Sequence, residues 1–300
     1  MPIVPQNGIL QLKDNRLTDR VSRYPKTVIG RGQGTSAFCG GAFYLASKQL
    51  INAVNGYENY IQRKGVDEQV IDALLKACNV AIRTEKDVDY GLTITERTKA
   101  LINEYTQKNA GGSIWELERY AQDHDIKGGY KLVDQFYEVL RLESFYRFES
   151  FIYFMERKRN WSKRFYYPRR KTLNIVAHDL EDLENRKIKF YGLSMPSRVG
   201  KSTICIFFLA WVALRRPNSH SAMGGHSGIL AKGFYKELMN LFTTEEYTFA
   251  ELFAYWHPEY ANATLPTDKS ADEFTITLGD PDRFATVTCR GIDGTWTDRK

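Results

Sequence analysis

Apolar residues recur at steps of three and four through the first half of the chain, and the pattern changes after Pro168. Over Ser47–Tyr60 and Val66–Ile82 this spacing predicts two amphipathic helices, the second carried by Val70, Ile71, Leu74, Leu75 and Cys78. A third is expected over Thr95–Gln107, with Thr95 as N-cap, closed by Gly111-Gly112. Ser113 is placed to cap a fourth over Ile114–Gln122. After Gly128-Gly129, one long helix is predicted from Tyr130 to Arg159, because Leu132, Val133, Phe136, Val139, Leu140, Phe148, Phe151, Ile152 and Met155 keep helical phase.

Beyond Pro168, Leu173–Leu183 reads as a helix and Lys187–Met195 as a strand. A glycine-containing turn leads into an apolar helix over Ser202–Leu214, ahead of Pro217. Ser219–Met223 is a second strand candidate and Ile229–Phe242 a further helix. Phe274–Leu278 and Ala285–Cys289 alternate and are β-branched enough to be strands. Strand, turn, helix, strand and helix in that order predict an α/β domain with a parallel sheet.

The composition, 300 residues with 43% hydrophobic, 26% charged and 13% aromatic side chains, is that of a globular chain and excludes general disorder. The net charge of +6 suggests a polyanionic partner, but its distribution narrows that. Lys and Arg against Asp and Glu number 17 and 15 over 1–127, 11 and 5 over 128–171, and 14 and 16 over 172–300. The basic stretch, Arg157-Lys158-Arg159, Lys163-Arg164 and Arg169-Arg170-Lys171, is interleaved with Trp161, Phe165, Tyr166 and Tyr167. It reads as a helix end beside a nucleotide site rather than a DNA groove, because the charge is local. The cysteines (Cys39, Cys78, Cys205, Cys289) form no CxxC pair and the histidines no HxxxH pair, which argues against zinc and for a reducing compartment. The start has no signal-peptide pattern, and the longest apolar run, Ile204–Leu214, is 11 residues. That is short of the ~20 needed to span a bilayer, so a cytoplasmic protein without membrane association is expected.

Two glycine-bearing segments invite a phosphate-binding reading. Gly30-Arg31-Gly32-Gln33-Gly34, with Gly40-Gly41, lacks a preceding apolar strand and reads as a flexible turn. Gly200-Lys201-Ser202-Thr203 stands instead at a predicted strand-to-helix junction, where backbone N–H groups and the positive helix end can enclose phosphates. There Ser197, Val199, Gly200, Lys201, Ser202 and Thr203 would line the phosphates. Lys201 would reach the β- and γ-phosphates of ATP, and the Ser202 hydroxyl would ligate Mg²⁺.

Met195-Pro196-Ser197-Arg198-Val199-Gly200-Lys201-Ser202-Thr203 resembles the variant Walker A loop of large terminase subunits, the DNA-packaging motors of tailed bacteriophages. In that family the first glycine is often replaced, here by Met195, and an arginine precedes Gly-Lys, here Arg198. Three more segments match in order. Arg164–Arg170 looks like the family's adenine-proximal segment, Met223–Ser227 like the strand and loop after the Walker A helix, and Thr288–Thr297 like the glycine loop ahead of Walker B. The resemblance covers about residues 145–297 and implies a P-loop NTPase (RecA/ASCE-like) parallel sheet there, preceded by the mainly helical N-terminal region that the periodicity predicts. Periodicity and resemblance together make 1–127 helical, 128–171 a long helix with a basic-aromatic linker, and 172–300 the ATPase core. It also implies Arg198 as a cis arginine finger beside Lys201, and Tyr166, Tyr167, Arg169 and Arg170 around adenine. The implied partners are double-stranded viral DNA, the portal protein, the small terminase subunit and further copies in a ring on the prohead, in the host cytoplasm.

Departures accompany the likeness. No apolar run ending in Asp with a neighbouring Glu follows Thr203; Phe274–Asp280 is the nearest and interposes Gly279. The chain reaches Lys300 about where such a strand would begin, and the family's nuclease has no counterpart, so the sequence looks like the front part of a larger terminase. Another P-loop ATPase, helicase-like protein or kinase, and a non-catalytic partner-binding fragment, stay open as alternatives. Phosphoryl transfer depends on positioned carboxylates and metal, so weak ATP binding and negligible turnover are expected of these 300 residues. Steady-state hydrolysis at the rate of an intact terminase, after stringent purification, would overturn that expectation.

Overall fold

The computed structural model describes residues 46–126, 130–260, 267–269, 273–280 and 284–291, all within the unit Phe43–Lys300. Cys39, the glycine cluster 30–41, Gly128-Gly129 and the end of the 288–297 segment lie outside the described residues. Helices begin where a side-chain oxygen meets the free N–H groups of the first turn. Ser47, Asp67 and Asp87 accept from Leu50, Val70 and Tyr90, opening α1 (Lys48–Lys64), α2 (Glu68–Asn79) and α3 (Val88–Ala110). α2 runs on into a π turn, Val80–Thr84. α3 starts ahead of the expected Thr95, which is buried within it and donates its hydroxyl to Leu92 O (2.8 Å). Ser113 and Glu116 form a capping box on α4 (Ile114–Asp123).

The helix expected to run unbroken from Tyr130 to Arg159 is two: α5 (Lys131–Glu143) and α6 (Phe148–Met155). The break is held from outside. Ser144 O accepts the indole N–H of Trp211 (2.7 Å), Ser144 Oγ accepts that of Trp256 (3.2 Å), and Ser144 Oγ itself donates to Arg141 O (2.6 Å). Helical periodicity survives a one-turn break, so pattern alone did not reveal it.

The second half adds α7 (Arg170–Glu184), α8 (Lys201–Arg215), α9 (Gly228–Thr243) and α10 (Phe249–Trp256). Its strands are β1 (Ser221–Gly225), β2 (Thr267–Lys269), β3 (Glu273–Ile276) and β4 (Val287–Gly291), in the order β1-β4-β3-β2. Among the described strands only β1 and β4 pair in parallel, with Ser221 opposite Val287 and Gly225 opposite Gly291; β4–β3 and β3–β2 are antiparallel. This corrects the expected fold class. The described structure is mainly helical with a small mixed sheet, not a P-loop NTPase parallel sheet.

Two physical reasons account for the difference. The short connections from β2 to β3 and from β3 to β4 leave no room for a crossover helix, which parallel neighbours require. The expected strand Lys187–Met195 alternates in exposure over 191–195, with Tyr191, Leu193 and Met195 packed against the core, yet it joins no sheet among the described residues. An in–out pattern places a chain on a surface; only a ladder partner makes it a sheet strand.

α8 occupies the centre of the larger core. Ile204, Ile206, Phe207, Ala210, Trp211, Ala213 and Leu214 are buried, and α6, α7, α9 and α10 pack around it. A second cluster, from Leu50 and Leu74 to Leu101 and Leu142, joins α1, α2 and α3 to α5. Between α4, α5 and the segment after α6 lies a buried polar group. Arg164 donates to Glu118 Oε1 (2.7 Å) and Oε2 (3.0 Å) and to Tyr137 OH (3.2 Å), with both charged side chains under 10% exposed. Removing one member of such a pair strands the other charge. Glu118→Ala is expected to cost about 3 kcal/mol or more in urea unfolding. Glu58→Ala, which breaks the exposed pair with Arg97, should cost less than about 1 kcal/mol.

Candidate functional site

The loop ahead of α8 takes its shape from two left-handed residues. Arg198 has φ 66° and Gly200, the N-cap of α8, has φ 108° and ψ 23°. A Cβ is disfavoured in this region, which suits Gly200 and makes Arg198 a strained position costing about 1 kcal/mol or more. No side-chain oxygen caps α8. The N–H groups of Lys201, Ser202 and Thr203 are thus the free donors at the positive end of a 15-residue helix. The Lys201 ammonium folds back over the loop and donates to Met195 O (2.6 Å). The residue that replaces the usual glycine therefore contributes its carbonyl, which methionine supplies as well. Ser197, Arg198 and Ser202 are exposed, while Val199 and Thr203 are half-buried.

A second segment, remote in sequence, closes on this loop. A Cβ on Gly200 would lie 2.5 Å from Cε2 and 2.8 Å from Cζ of Phe165, and 3.7 Å from Cδ of Arg169. Phe165 cannot easily retreat, because its ring stacks on Phe207 of α8 with centroids 5.8 Å apart and planes at 10°. Arg169 is exposed, donates to Phe165 O (2.9 Å), and holds its guanidinium 5.3 Å from the Phe165 ring centroid. Arg169 and Lys201 thus bring positive charge to one helix N-terminus.

The remaining sequence candidates divide. Tyr166 is fully buried and its hydroxyl donates to Glu149 (2.9 Å), so its ring is not free to meet a ligand. Tyr167 is wedged between Trp115 and Trp161, with centroids 5.3 and 4.5 Å away. Arg170 caps it, with its guanidinium 3.9 Å from the ring centroid and a bond to Tyr167 O (3.0 Å). Tyr167 and Arg170 therefore build the wall rather than offer a free stacking face. Ser227 N-caps α9, and Cys289 is buried, its thiol pushed up to about 12 by desolvation.

Sequence reasoning missed two residues. One is Phe165, the ring that meets Gly200. The other is Glu156, buried just past α6, which accepts the backbone N–H of Phe165 (2.6 Å) and of Tyr166 (2.9 Å). Burial pushes the Glu156 carboxyl above its ordinary range, while the two amides, Arg159 and Arg164 pull the other way. A carboxylate at the negative end of a helix, inside a basic run, is a signal the sequence did carry.

The basic run itself is largely engaged within the fold. Arg157 and Lys158 face Glu251 (3.5 Å each), and Arg159 meets Glu156 (3.3 Å), Glu246 (3.4 Å) and Tyr247 OH (2.6 Å). Lys163 also faces Glu246 (3.7 Å), and Arg164 meets Glu118. No group of three or more His, Cys, Asp or Glu side chains suited to a metal occurs among the described residues. None of the described helices is long and apolar enough to cross a membrane. A polar cleft lined by Glu118, Gln122, Asp125, Asp134, Lys158 and Asn160 opens beside α4 and α5, and none of residues 195–203 lines it.

Comparison with protein-family models, curated proteins and solved structures gives no match. The functional reading therefore rests on the loop and what meets it.

Gly200→Ala tests that geometry. Its Cβ would be both in the left-handed region and inside van der Waals contact of Phe165. Destabilisation of at least ~1 kcal/mol is expected in chemical denaturation; a neutral variant would show that the loop does not hold this conformation.

Proposed function

We propose that the chain binds ATP with Mg²⁺ at the junction of residues 195–203 and the Phe165–Arg170 segment, and that it serves as the ATPase part of a terminase-type motor packaging double-stranded viral DNA. The observation that carries this reading is the approach of Phe165 and Arg169 to Gly200, at the uncapped N-terminus of α8. Two segments read separately as phosphate-proximal and nucleoside-proximal meet at one residue.

In this reading the amides of Lys201, Ser202 and Thr203 receive phosphate oxygens, with the helix dipole favouring their charge. Lys201 exchanges the Met195 carbonyl for a phosphate oxygen, and Arg198 and Arg169 neutralise charge from the loop and from the facing segment. The Ser202 hydroxyl is the side chain available to Mg²⁺, whose role is to bridge and neutralise phosphate oxygens. The frame is a mainly helical one, so the case rests on local loop chemistry and on the ordered motifs. Portal protein, the small terminase subunit and further copies in a ring are the partners that the motor role entails. The engaged basic run disfavours a DNA track on the Arg157–Arg164 stretch.

Mg-ATP titrations by calorimetry test the site. Lys201→Ala should weaken affinity by about tenfold or more, the loss of one charge-assisted contact, while leaving the melting temperature close to that of the unaltered chain. Equal ATP affinity in the two proteins would remove the loop from the binding site.

A further inference from the structure

We infer that Glu156 is a positioning residue for this site, holding the Phe165 ring against Gly200 and so fixing the nucleoside end of the site relative to its phosphate end; the inference rests on the ATP reading above. The carboxylate follows α6 and is 2% exposed. Its two oxygens are divided between adjacent amides: Oε1 accepts from Phe165 N (2.6 Å) and Oε2 from Tyr166 N (2.9 Å). Arg159 Nη1 adds a third donor at Oε1 (3.3 Å) and is itself held by Tyr247 OH (2.6 Å). An anion at the C-terminal end of a helix opposes the helix dipole, and burying it adds desolvation. The three donors offset part of that cost, and their fixed directions give the contact a definite geometry.

The consequence reaches the loop through one ring. Phe165 follows Arg164, which is anchored to Glu118 (2.7 Å), and precedes Tyr166, which is anchored to Glu149 (2.9 Å). Between those anchors Glu156 fixes the peptide orientation on both sides of Phe165, and the ring is laid on Phe207 with its edge at Gly200. A glutamine at 156 keeps the shape but offers one acceptor oxygen and one NH₂ group. One of the two amides would then face a donor, and the Phe165 peptide would have to turn. Phosphate-loop donors on α8 are untouched by this change.

The experiment titrates the unaltered chain and Glu156→Gln with Mg-ATP and with inorganic tripolyphosphate, which has no nucleoside. Glu156→Gln is expected to lose about tenfold in ATP affinity while tripolyphosphate affinity stays within about twofold. A purely structural role would lower both together or neither, and either result from a folded variant overturns the inference. Failure of the unaltered chain to bind ATP overturns the ATP reading itself and the inference with it. If Glu156→Gln does not fold, hydrogen exchange on the unaltered chain decides. The Phe165 and Tyr166 amides should be slowed more by ATP than by tripolyphosphate, and equal slowing overturns the proposal.

Discussion

Helix α8 has almost no polar face, and the rest of the described fold is arranged to bury it. From Ile204 to Leu214 every residue is apolar, and the fully covered ones lie on several sides of the helix. A helix of this kind is stable only when surrounded. α6, α7, α9 and α10 supply the cover, and Trp211 reaches across to Ser144. With the Trp256 bond to Ser144 Oγ, that contact holds the break between α5 and α6. The same burial fixes where α8 begins, and hence where Gly200 and Lys201 present the free amides of its first turn. The candidate site lies at the N-terminal end of this helix, where Ser202 is exposed and no side chain caps the first turn.

The charge of the molecule takes on a different meaning in the fold. A surplus of positive residues around 157–171 looks in the sequence like a surface for a polyanion. In the structure most of it is paired with Glu118, Glu156, Glu246 and Glu251, carboxylates that stand far away in sequence or within a helix turn. These contacts tie the segment after α6 to the region before and within α10. Thr248 reinforces the join by donating its hydroxyl to Phe154 O (2.8 Å) and its amide to Met155 O (3.2 Å). The cations that remain near the loop are few and local. That suits a small anionic ligand better than a long polymer.

How much of this was legible beforehand depends on the range of the interaction involved. Ser47, Asp67 and Ser113 act within one helical turn, and Ser113 was readable as a cap because Glu116 lies three residues on. The helices over 68–79, 170–184, 201–215 and 228–243 follow from periodicity, with ends displaced by a few residues. Thr95 was misread as a start because Asp87 caps earlier. Lys187–Met195 was misread as a sheet strand because alternation reports which side is buried and not whether a ladder partner exists. From the sequence, Tyr166 is expected near adenine and Phe165 has no role; burial consumes Tyr166 and leaves Phe165 beside Gly200.

By itself, the sequence determined the helical segments, the buried character of α8 and a glycine followed by lysine at its start, since these depend on neighbours within a few residues. Only the tertiary structure decided that the described sheet is small and mixed, that the long helix breaks at Ser144, and that most of the basic run is paired within the fold. It alone placed Phe165 and Arg169 on Gly200, with Glu156 behind them. Most of those outcomes depend on contacts between residues far apart in sequence, such as Gly200 with Phe165 and Ser144 with Trp211, which no local pattern pairs.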